Sequence, residues 1–301
     1  MANKFKSGFI AIIGRPNVGK STFLNNVLGR KVSIISPKPQ TTRNQIRGIY
    51  TTDDCQMIFI DTPGIHKPQH ELGGIMNRYA LNTLTDVDVV LFIVDATQEF
   101  GTGDQFIINE LKKIKSPVFL VFNKMDLIRN KGKLLENVVK FTNEYEFSEV
   151  LYISSVTGEN INLLLDNIKK YLHEGPKYYP FDQVTDQSEQ FVIAEIIREK
   201  VLLLTREEVP HSVAVVVDRM EEDEDLTHLI NIHATIYVER NSQKKILIGN
   251  QGKMMKEIGT LARKEIVMLL GRKVFLDLWV KVEPDWRNKI NQLRKLGYNL
   301  E

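Results

Sequence analysis

The segment GRPNVGKS, residues Gly14–Ser21, has the pattern G-x-x-x-x-G-K-S and lies between an apolar run and a helix-like segment. Glycines at these positions let backbone N–H groups curve around phosphate oxygens at a helix N-terminus. Lys20 can reach the β and γ phosphates of a nucleotide, and the hydroxyl of Ser21 can bind Mg²⁺. The sequence therefore predicts a site for a nucleoside triphosphate and its magnesium ion.

A second motif, DTPG at Asp61–Gly64, follows another apolar run. Asp61 is placed to hold Mg²⁺ through a water, and the N–H of Gly64 can bond the γ phosphate. The polar stretch PQTTRNQIRG upstream is suited to a mobile switch and offers Thr41 and Thr42 for the magnesium shell. We favour Thr42, and the residue types leave Thr41 open.

The segment NKMD, Asn123–Asp126, indicates which base is bound. The carboxylate of Asp126 can accept hydrogen bonds from N1–H and the amino group of guanine, whereas adenine would leave that carboxylate unpaired. The stem of Lys124 can lie along the base plane. In SSVTG, Ser154–Gly158, a backbone N–H can meet guanine O6. Four motifs in this order, each at a predicted strand end, predict guanine-nucleotide binding.

The predicted guanine-nucleotide site collects residues from all four motifs. Its expected contacts are Gly14, Arg15, Pro16, Asn17, Val18, Gly19, Lys20, Ser21, Thr22, Asp61, Thr62, Pro63, Gly64, Asn123, Lys124, Asp126, Ser154, Ser155 and Val156. The residues assigned to hydrolysis are Lys20, Thr42, Asp61 and Gly64, and the assigned Mg²⁺ ligands are Ser21, Thr42 and Asp61.

The first half of the chain alternates continuous apolar runs with helix-like segments. The runs are Phe9–Ile13, Met57–Ile60, Val87–Val94, Val118–Phe122 and Val150–Ile153, and the helices include Glu71–Leu84, Asp104–Lys115 and Ile161–Leu172. Continuous runs are typical of strands covered on both faces. The pattern predicts an α/β domain over 1–174, with a mostly parallel sheet and functional loops at the carboxyl ends of its strands.

Residues 175–190 contain glycine, prolines and polar residues without a sustained period, and are predicted to form a linker. Residues 191–301 then predict a smaller α+β domain. It has an apolar-faced helix, a strand at Val213–Val217, an acidic hairpin or loop at Glu221–Asp225, an alternating strand, a helix capped by Gly271 and a last strand alternating from Val274.

Composition and charge set limits on the function. The chain has 301 residues, 43% of them apolar and 26% charged, as in ordinary soluble two-domain proteins. Cys55 is the only cysteine, which excludes an internal disulfide and a cysteine-based zinc site. No stretch resembles a signal peptide or a spanning helix, so we expect a cytoplasmic protein, at most attached to the inner face of the membrane. Residues 239–301 carry a balance of +7 within a chain of net charge +2, which favours a polyanion partner.

A second glycine pair occurs in KKILIGNQGK, where Gly249 and Gly252 precede an amphipathic helix. The segment lacks the Lys-Ser pair of a triphosphate loop. A Gly-x-x-Gly loop between a strand-like segment and a helix resembles the KH loop, which clamps a single-stranded RNA backbone, and the element order matches the type II KH variety. The predicted RNA-binding residues are Lys244, Lys245, Ile248, Gly249, Asn250, Gln251, Gly252, Lys253 and Lys256.

Neighbouring apolar side chains are predicted to pack in the core rather than contact bases. These are Ile248, Ile258, Leu261, Ala262, Ile266 and Leu269. Trp286, Arg287 and Lys289 leave two interpretations open, a base-binding surface and a solvated tail with a packed tryptophan.

Together these motifs resemble the Era family, within the translation-factor-related class of small GTPases, over essentially the whole chain. One departure is Ser155, where such proteins usually have alanine. The resemblance implies binding of single-stranded ribosomal RNA near the 3′ end of the small-subunit RNA, a role in maturation of that subunit, and a monomeric protein.

Position 65 bears on the rate of hydrolysis. Ras-like enzymes place a water-orienting glutamine there, whereas Ile65 has no hydrogen-bonding group, so the sequence predicts slow intrinsic hydrolysis. His66 is a weaker candidate for a base, because exposed loop histidines mostly have no such role. An asparagine at the position of Asn17 helps to hold a potassium ion in similar GTPases, which gives the hypothesis of a K⁺ site.

Two other functional classes share part of this pattern. A metabolic kinase or ATPase would use the phosphate loop, but NKMD argues against it. A GTPase acting at a membrane or on a protein partner would use the basic end to bind anionic lipid, but the glycine clamp favours RNA.

Overall fold

The computed structural model describes residues 5–65, 68, 70–223 and 228–298, and the chain forms two compact units. The first comprises 1–33, 42–68 and 76–186, and the second comprises 34–41, 69–75 and 187–301. No helix in these described ranges is long and apolar enough to cross a membrane. Two short segments from the first half of the chain therefore belong to the second unit.

The first unit is a predominantly parallel sheet with helices between its strands, as the sequence predicts. Its strands are β1 (Lys6–Ile13), β2 (Ile46–Thr51), β3 (Cys55–Asp61), β4 (Val89–Asp95), β5 (Val118–Asn123), β6 (Glu149–Tyr152) and β7 (His173–Glu174). The helices are α1 (Lys20–Leu28), α3 (Thr102–Leu111), α4 (Lys131–Glu144) and α5 (Ile161–Tyr171), together with the part of α2 (Glu71–Asn82) that follows residue 75. The strand order is β2-β3-β1-β4-β5-β6. The antiparallel edge strand β2 and the short β7, which pairs with β1, are additions to the five predicted strands.

The register of the central strands brings the motif-bearing ends together. Ile12 lies beside Asp61 across the β1–β3 pair, and Asp95 lies beside Asn123 across β4–β5. The carboxyl ends of parallel strands meet at one edge of the sheet, so the loops that follow β1, β3, β4 and β5 share that edge.

The segment predicted to be a linker is largely attached to the first unit. The backbone N–H groups of Tyr178 and Tyr179 donate to Oε1 of Gln56 over 2.8 and 3.0 Å. Further along, the N–H of Ile49 in β2 donates to the carbonyl of Val184 over 2.9 Å, so the segment continues the sheet edge. Satisfying the edge groups of β2 is the physical reason that this stretch is ordered without a periodic pattern.

The second unit has the expected α+β order. Its helices are α6 (Glu189–Leu204), α7 (Asn241–Ile248), α8 (Lys253–Leu270) and α9 (Ile290–Lys295), and its strands are β8 (Ala214–Glu222), β9 (Leu229–Val238) and β10 (Lys273–Val282). The sheet order is β10-β9-β8, with β9 antiparallel to β8 and parallel to β10. Buried residues of α6, α8 and one sheet face form its core.

The segment 34–41 is held within this second unit by two neighbours on α6. The guanidinium of Arg198 donates to the carbonyl oxygen of Thr41. The carboxylate of Glu199 accepts a 3.0 Å hydrogen bond from the N–H of Ile35. Of the polar stretch PQTTRNQIRG predicted as a switch, residues 39–41 lie in this segment, and the carbonyl of Thr41 is bonded to α6.

The strand-like interpretation of KKILI is wrong, because this stretch forms helix α7. The side chain of Gln243 accepts from the N–H groups of Glu239 and Arg240, over 2.9 and 3.0 Å, and caps the helix start. Leu247 is fully buried, whereas Ile246 and Ile248 are 49% and 38% exposed. Only one of the three apolar residues 246–248 is buried, as expected for a short helix at the surface. A short apolar run in the sequence does not distinguish such a helix from a strand.

Three of the core predictions need correction. Ile248, Leu261 and Leu269 are exposed rather than buried, although Ile258, Ala262 and Ile266 are fully buried. In the segment predicted as an acidic hairpin or loop, Glu221 and Glu222 end β8, which pairs antiparallel with β9, and residues 224–225 lie outside the described residues.

The C-terminal tryptophan packs inside the second unit. Trp286 is fully buried, its indole N–H donates to the carbonyl of Ser212 over 2.9 Å, and its ring stacks on Tyr298. Arg287 forms an ion pair with Glu239 at 2.6 Å. Of the two interpretations left open, the packed tryptophan is therefore the one observed.

Candidate nucleotide site and nucleic-acid interface

The loop Gly14–Lys20 follows β1 and leads directly into α1, as the motif requires. A Cβ on Gly14, at φ 153°, would lie 2.2 Å from the carbonyl oxygen of Ile93. A Cβ on Gly19, at φ 100°, would lie 2.3 Å from Nδ2 of Asn123. Neither position has room for a side chain, so the loop packs directly against β4 and β5.

Lys20 is held inside this loop. Its ammonium group donates to the carbonyl oxygens of Gly14 and Arg15 over 3.2 and 3.0 Å, and the residue is 6% exposed. Burial lowers the pKa of Lys20 to about 8, while the nearby Asp61 carboxylate acts in the opposite direction. Because the ammonium group is shielded from water, its electrostatic attraction to a nearby phosphate oxygen is stronger than it would be in solution.

Two hydroxyl side chains donate to the carboxylate of Asp61, and a third lies beside one of them. Ser21 Oγ donates to Asp61 Oδ2 over 2.7 Å and lies 2.9 Å from Thr42 Oγ1. Ser33, which sequence reasoning did not select, donates to the same carboxylate oxygen over 3.0 Å. Burial raises the pKa of Asp61, with Lys20 opposing it. Hard oxygen ligands of this kind suit Mg²⁺.

The second oxygen of Asp61 provides a test of whether the site fits a cation. Asp61 Oδ1 is buried and has no hydrogen-bond partner among the described residues. A buried, unsatisfied carboxylate oxygen costs free energy unless a cation or water reaches it. The residues present therefore fit a magnesium ion held by Ser21, Thr42 and Asp61.

The two candidate threonines have different surroundings. Thr41 Oγ1 donates to the carbonyl of Lys38 over 2.6 Å, within the turn that precedes it. Thr42 is 6% exposed and reaches Ser21 instead. The structure brings Thr42, and not Thr41, to the predicted magnesium ligands.

The DTPG segment packs directly on the phosphate loop. A Cβ on Gly64 would lie 2.7 Å from the backbone nitrogen of Pro16, and the N–H of Ile65 donates to the carbonyl of Gly14 over 3.2 Å. Thr62 is fully buried and donates from its hydroxyl to the carbonyl of Ile12 over 2.7 Å. The side chain of Ile65 is 2% exposed and belongs to the hydrophobic core. His66 lies outside the described residues.

Asn123 and Lys124 connect the base-recognition loop to the phosphate loop. Nδ2 of Asn123 donates to the carbonyl of Val18 over 2.8 Å, and Oδ1 accepts from the N–H of Ser155 over 2.9 Å. Lys124 adopts a left-handed backbone, with φ 67°, and its ammonium group donates to the carbonyl of Asn17 over 2.8 Å. These contacts fix the two loops between which a base would lie.

Asp95 at the end of β4 is a residue that sequence reasoning missed. Its carboxylate accepts from Lys124 Nζ over 2.6 Å and from the hydroxyl of Thr97 over 2.6 Å. Burial acts to raise its pKa, but the hydrogen bonds from Lys124 and Thr97 prevail and lower it. Asp95 therefore positions the lysine stem, and its place at a strand end is the signal that could have identified it.

The carboxylate of Asp126 is oriented by Ser154, whose hydroxyl donates to Oδ1. The same hydroxyl accepts from the N–H of Thr157 over 3.2 Å. Ser154 and Ser155 are buried, whereas Val156 is 72% exposed. The last motif thus presents a fixed acceptor and a backbone turn at the predicted position of guanine.

The remaining predicted nucleotide contacts lie in or beside the same loops and differ in how far they are exposed to solvent. Arg15 directs its guanidinium to Asp104 of α3 over 3.1 Å, so only its backbone belongs to the phosphate loop. Val18 is buried, Asn17 is exposed at the loop tip, Thr22 is half-buried in α1 and Pro63 is buried.

In the second unit, the glycine loop between α7 and α8 has two different glycines. Gly249, at φ 70°, would place a Cβ 2.9 Å from the backbone nitrogen of Met254, so it is packed. Gly252, at φ 76°, has nothing within 4 Å of a Cβ and opens toward solvent. Gly252 precedes the first turn of α8, whose N-terminus favours an anion.

A groove of about 740 Å³ runs between this loop, α8 and the edge strand β10. It is lined by Lys244, Ile248, Gly252, Met255, Lys256, Gly259, Thr260, Arg263 and the β10 residues Phe275, Leu276, Asp277, Leu278, Trp279 and Val280. Four of the predicted RNA-binding residues line it, while Gly249, Asn250 and Gln251 form the loop above it, and Lys245 and Lys253 are exposed nearby. Arg263, Phe275 and Trp279 were not foreseen.

Comparison with known proteins identifies both units. A family model described as 50S ribosome-binding GTPase matches residues 9–124, and a KH-domain model matches residues 208–287. A variant of Aquifex aeolicus Era bound to GDP and AlF4⁻ is 43% identical, and the match covers 98% of this chain and 100% of that one at a TM-score of 0.95. An Era structure in complex with MgGDPNP and nucleotides 1506–1542 of 16S ribosomal RNA gives the same identity, coverage and TM-score.

Proposed function

The chain belongs to the Era family of GTPases, and we propose that it is a GTP-hydrolysing switch that binds single-stranded RNA at the 3′ end of small-subunit ribosomal RNA. The observation that carries this proposal is the full-length likeness to the Era complex with both ligands, combined with the Gly-x-x-Gly loop beside a basic groove. We propose further that this binding assists maturation of the small ribosomal subunit, in the cytoplasm and as a monomer.

The residues of the first unit support attack of water on the γ phosphate of GTP. Lys20 stabilises negative charge on the transferred phosphoryl group, and the backbone of the glycine loop binds the phosphates. When bound at Ser21, Thr42 and Asp61, Mg²⁺ neutralises charge on the β and γ phosphates. Because Ile65 is buried in the core, its side chain orients no water, and the intrinsic rate is expected to be slow.

Asn17 supports a proposed potassium site beside the phosphates. Its side chain is exposed at the tip of the loop, and its own carbonyl oxygen is already engaged by Lys124. A monovalent cation at this point would add positive charge to the γ phosphate, in a protein whose water-orienting position carries an alkyl group.

The second unit supports binding of an RNA backbone. Phosphates can approach closely at Gly252, where no side chain intervenes, and Lys244, Lys256 and Arg263 supply positive charge along the groove. The apolar lining, including Ile248 and Met255, suits unstacked bases rather than a duplex.

The direct test is Gly252→Asp, with GTP and RNA binding measured on the same protein. Aspartate tolerates a left-handed backbone and meets no steric obstacle here, so the fold should survive while the added charge repels phosphate. We expect RNA retention in a filter assay to be lost and GDP affinity to be unchanged. Gly271→Asp is the matched control, since Gly271 has φ 65° and open space at the opposite end of α8. Equal RNA binding by wild type and Gly252→Asp would contradict the clamp.

The basic segment 239–301 would also attract anionic lipid, and we propose only a peripheral contact with the membrane. Pelleting with phosphatidylserine vesicles, with and without competing single-stranded RNA, measures this. Lipid binding that survives saturating RNA and the Gly252→Asp change would indicate a separate membrane surface.

A further inference from the structure

The edge strand β10 of the second unit turns one row of side chains to the core and, among the described residues, another row to solvent. Along β10, Val274 and Val280 are 5% and 9% exposed and belong to the core, whereas Phe275 and Trp279 are 53% and 66% exposed. Successive side chains of a strand point to opposite faces, so Phe275, Asp277 and Trp279 share the open face. Two large exposed aromatic residues, four positions apart on one strand, are unusual for a surface that binds nothing.

Trp279 is oriented by a short polar network. Its indole N–H donates to Oδ2 of Asp277 over 2.7 Å, and Nδ1 of His233 lies 3.2 Å from the same oxygen. His233 stands directly opposite Asp277 in the register of β9 and β10. The network fixes the polar edge of the indole while the residue remains two-thirds exposed. Holding a large aromatic ring in one orientation lowers the entropic cost of stacking on it.

This open face is continuous with the groove. Phe275 and Trp279 line the groove as well, because β10 is the edge strand that borders it. Lys273 and Lys281 at the two ends of β10 are exposed and provide positive charge for a phosphate backbone. The acidic Asp277 is already engaged by Trp279 and His233. An RNA strand leaving the groove across β10 would pass over these aromatic rings.

We propose that Trp279 and Phe275 form a second base-stacking site, which takes the nucleotides that follow those held by the glycine clamp. The inference rests on the proposed RNA function and adds to it a surface outside the clamp. Base stacking on aromatic side chains at an open sheet is a general mode of single-strand recognition that tolerates different bases. The site binds unpaired RNA, because a paired base has no free face to offer.

Tryptophan fluorescence provides a direct measurement. The chain has two tryptophans, and Trp286 is buried with its N–H bonded to Ser212, so an RNA-dependent change reports Trp279. The full chain with GDPNP is titrated with a strand of about twelve nucleotides from the 3′ end of small-subunit RNA. We expect quenching in wild type and in Phe275→Ala, and none in Trp279→Phe.

Affinity separates stacking from a structural role. Trp279→Ala should lower the affinity for the strand of about twelve nucleotides by about tenfold or more, whereas Trp279→Phe should retain most of that affinity. A strand of about four nucleotides, enough for the clamp alone, should bind both variants as it binds wild type when measured by competition. Phe106→Ala, a 46% exposed aromatic in the first unit, is the matched control and should change nothing.

The outcomes distinguish this inference from the function on which it rests. If wild type binds no RNA, the proposed function and the inference both fail. If wild type binds RNA without quenching and Trp279→Ala binds equally, only the stacking site fails. If Trp279→Ala lowers the affinity for the short and the long strand equally, Trp279 belongs to the clamp itself and the proposal of a second site is wrong. Unchanged GDP affinity and unfolding temperature show that each variant is folded.

Discussion

Asn123 and Val18 are joined by a 2.8 Å hydrogen bond from the side-chain amide to the backbone carbonyl, which ties the end of β5 to the phosphate loop. The carbonyl oxygen of the same amide accepts from the N–H of Ser155 at 2.9 Å. Asn123 is 1% exposed, so both bonds are made away from water. One side chain therefore holds together three loops that come from distant parts of the sequence.

Asn123→Ala should lower both stability and nucleotide affinity. Removing a buried partner of two backbone groups costs about 1–3 kcal/mol for each group left unsatisfied. We expect a lower midpoint in urea unfolding and weaker GDP binding by fluorescence titration. Asn130→Ala is the control, because its side chain only caps α4 and accepts from Gly132 and Lys133. Its loss should cost about 1 kcal/mol of stability and leave GDP affinity unchanged.

Asp126→Asn should change the preferred base. The carboxylate is expected to accept hydrogen bonds from two N–H groups of guanine, whereas the amide of asparagine would replace one of the two acceptor oxygens with a donor NH₂ group. Xanthine replaces the guanine amino group with a carbonyl, so it matches the amide. We expect GTP affinity to fall by about tenfold or more, on the scale of one hydrogen bond to a charged group, and XTP to bind better than GTP. Competition between the two nucleotides measures this, and a variant that still prefers GTP would contradict the assigned contact.

The nucleotide site was largely predictable from sequence because each motif is local and follows a strand. Gly14, Asp61 and Asn123 each lie at the carboxyl end of a strand, and the parallel sheet brings those ends to one edge. Residues that assist them from elsewhere were not predictable in this way. Ser33 donates to Asp61 from an irregular segment that contains no motif. Nothing in the sequence between the two residues indicates that they are in contact.

The second unit was predicted less well because short apolar runs are ambiguous. KKILI formed α7, since the cap by Gln243 and the single buried Leu247 outweigh the β-branched residues around them. The alternation from Val274 to Val282 correctly predicted β10. The same alternation places Phe275 and Trp279 on the opposite face, so the sequence pattern also contained the signal for an exposed aromatic pair.

Thr42→Ala should reduce the effect of magnesium on GTP-analogue binding far more than Thr41→Ala does. Thr42 Oγ1 lies 2.9 Å from Ser21 Oγ, whereas Thr41 is used within its own turn. We expect GDPNP affinity of wild type and Thr41→Ala to drop on addition of EDTA. Thr42→Ala should start weaker and respond less to the chelator. The reverse order of the two variants would assign the magnesium ligand to Thr41.

Potassium should accelerate GTP hydrolysis if Asn17 helps to hold a cation. The buried Ile65 supplies no group that orients water, and positive charge near the γ phosphate is another means of stabilising the transition state. We expect faster turnover in KCl than in NaCl at equal ionic strength, and loss of that difference in Asn17→Ala. GDP affinity and unfolding temperature are measured on the variant as well, because Asn17 has a left-handed backbone, with φ 64°, that alanine adopts only at a cost, although the carbonyl bonded to Lys124 is retained. Equal rates in the two salts would exclude the potassium site, whereas a difference that persists in Asn17→Ala would move it to other residues.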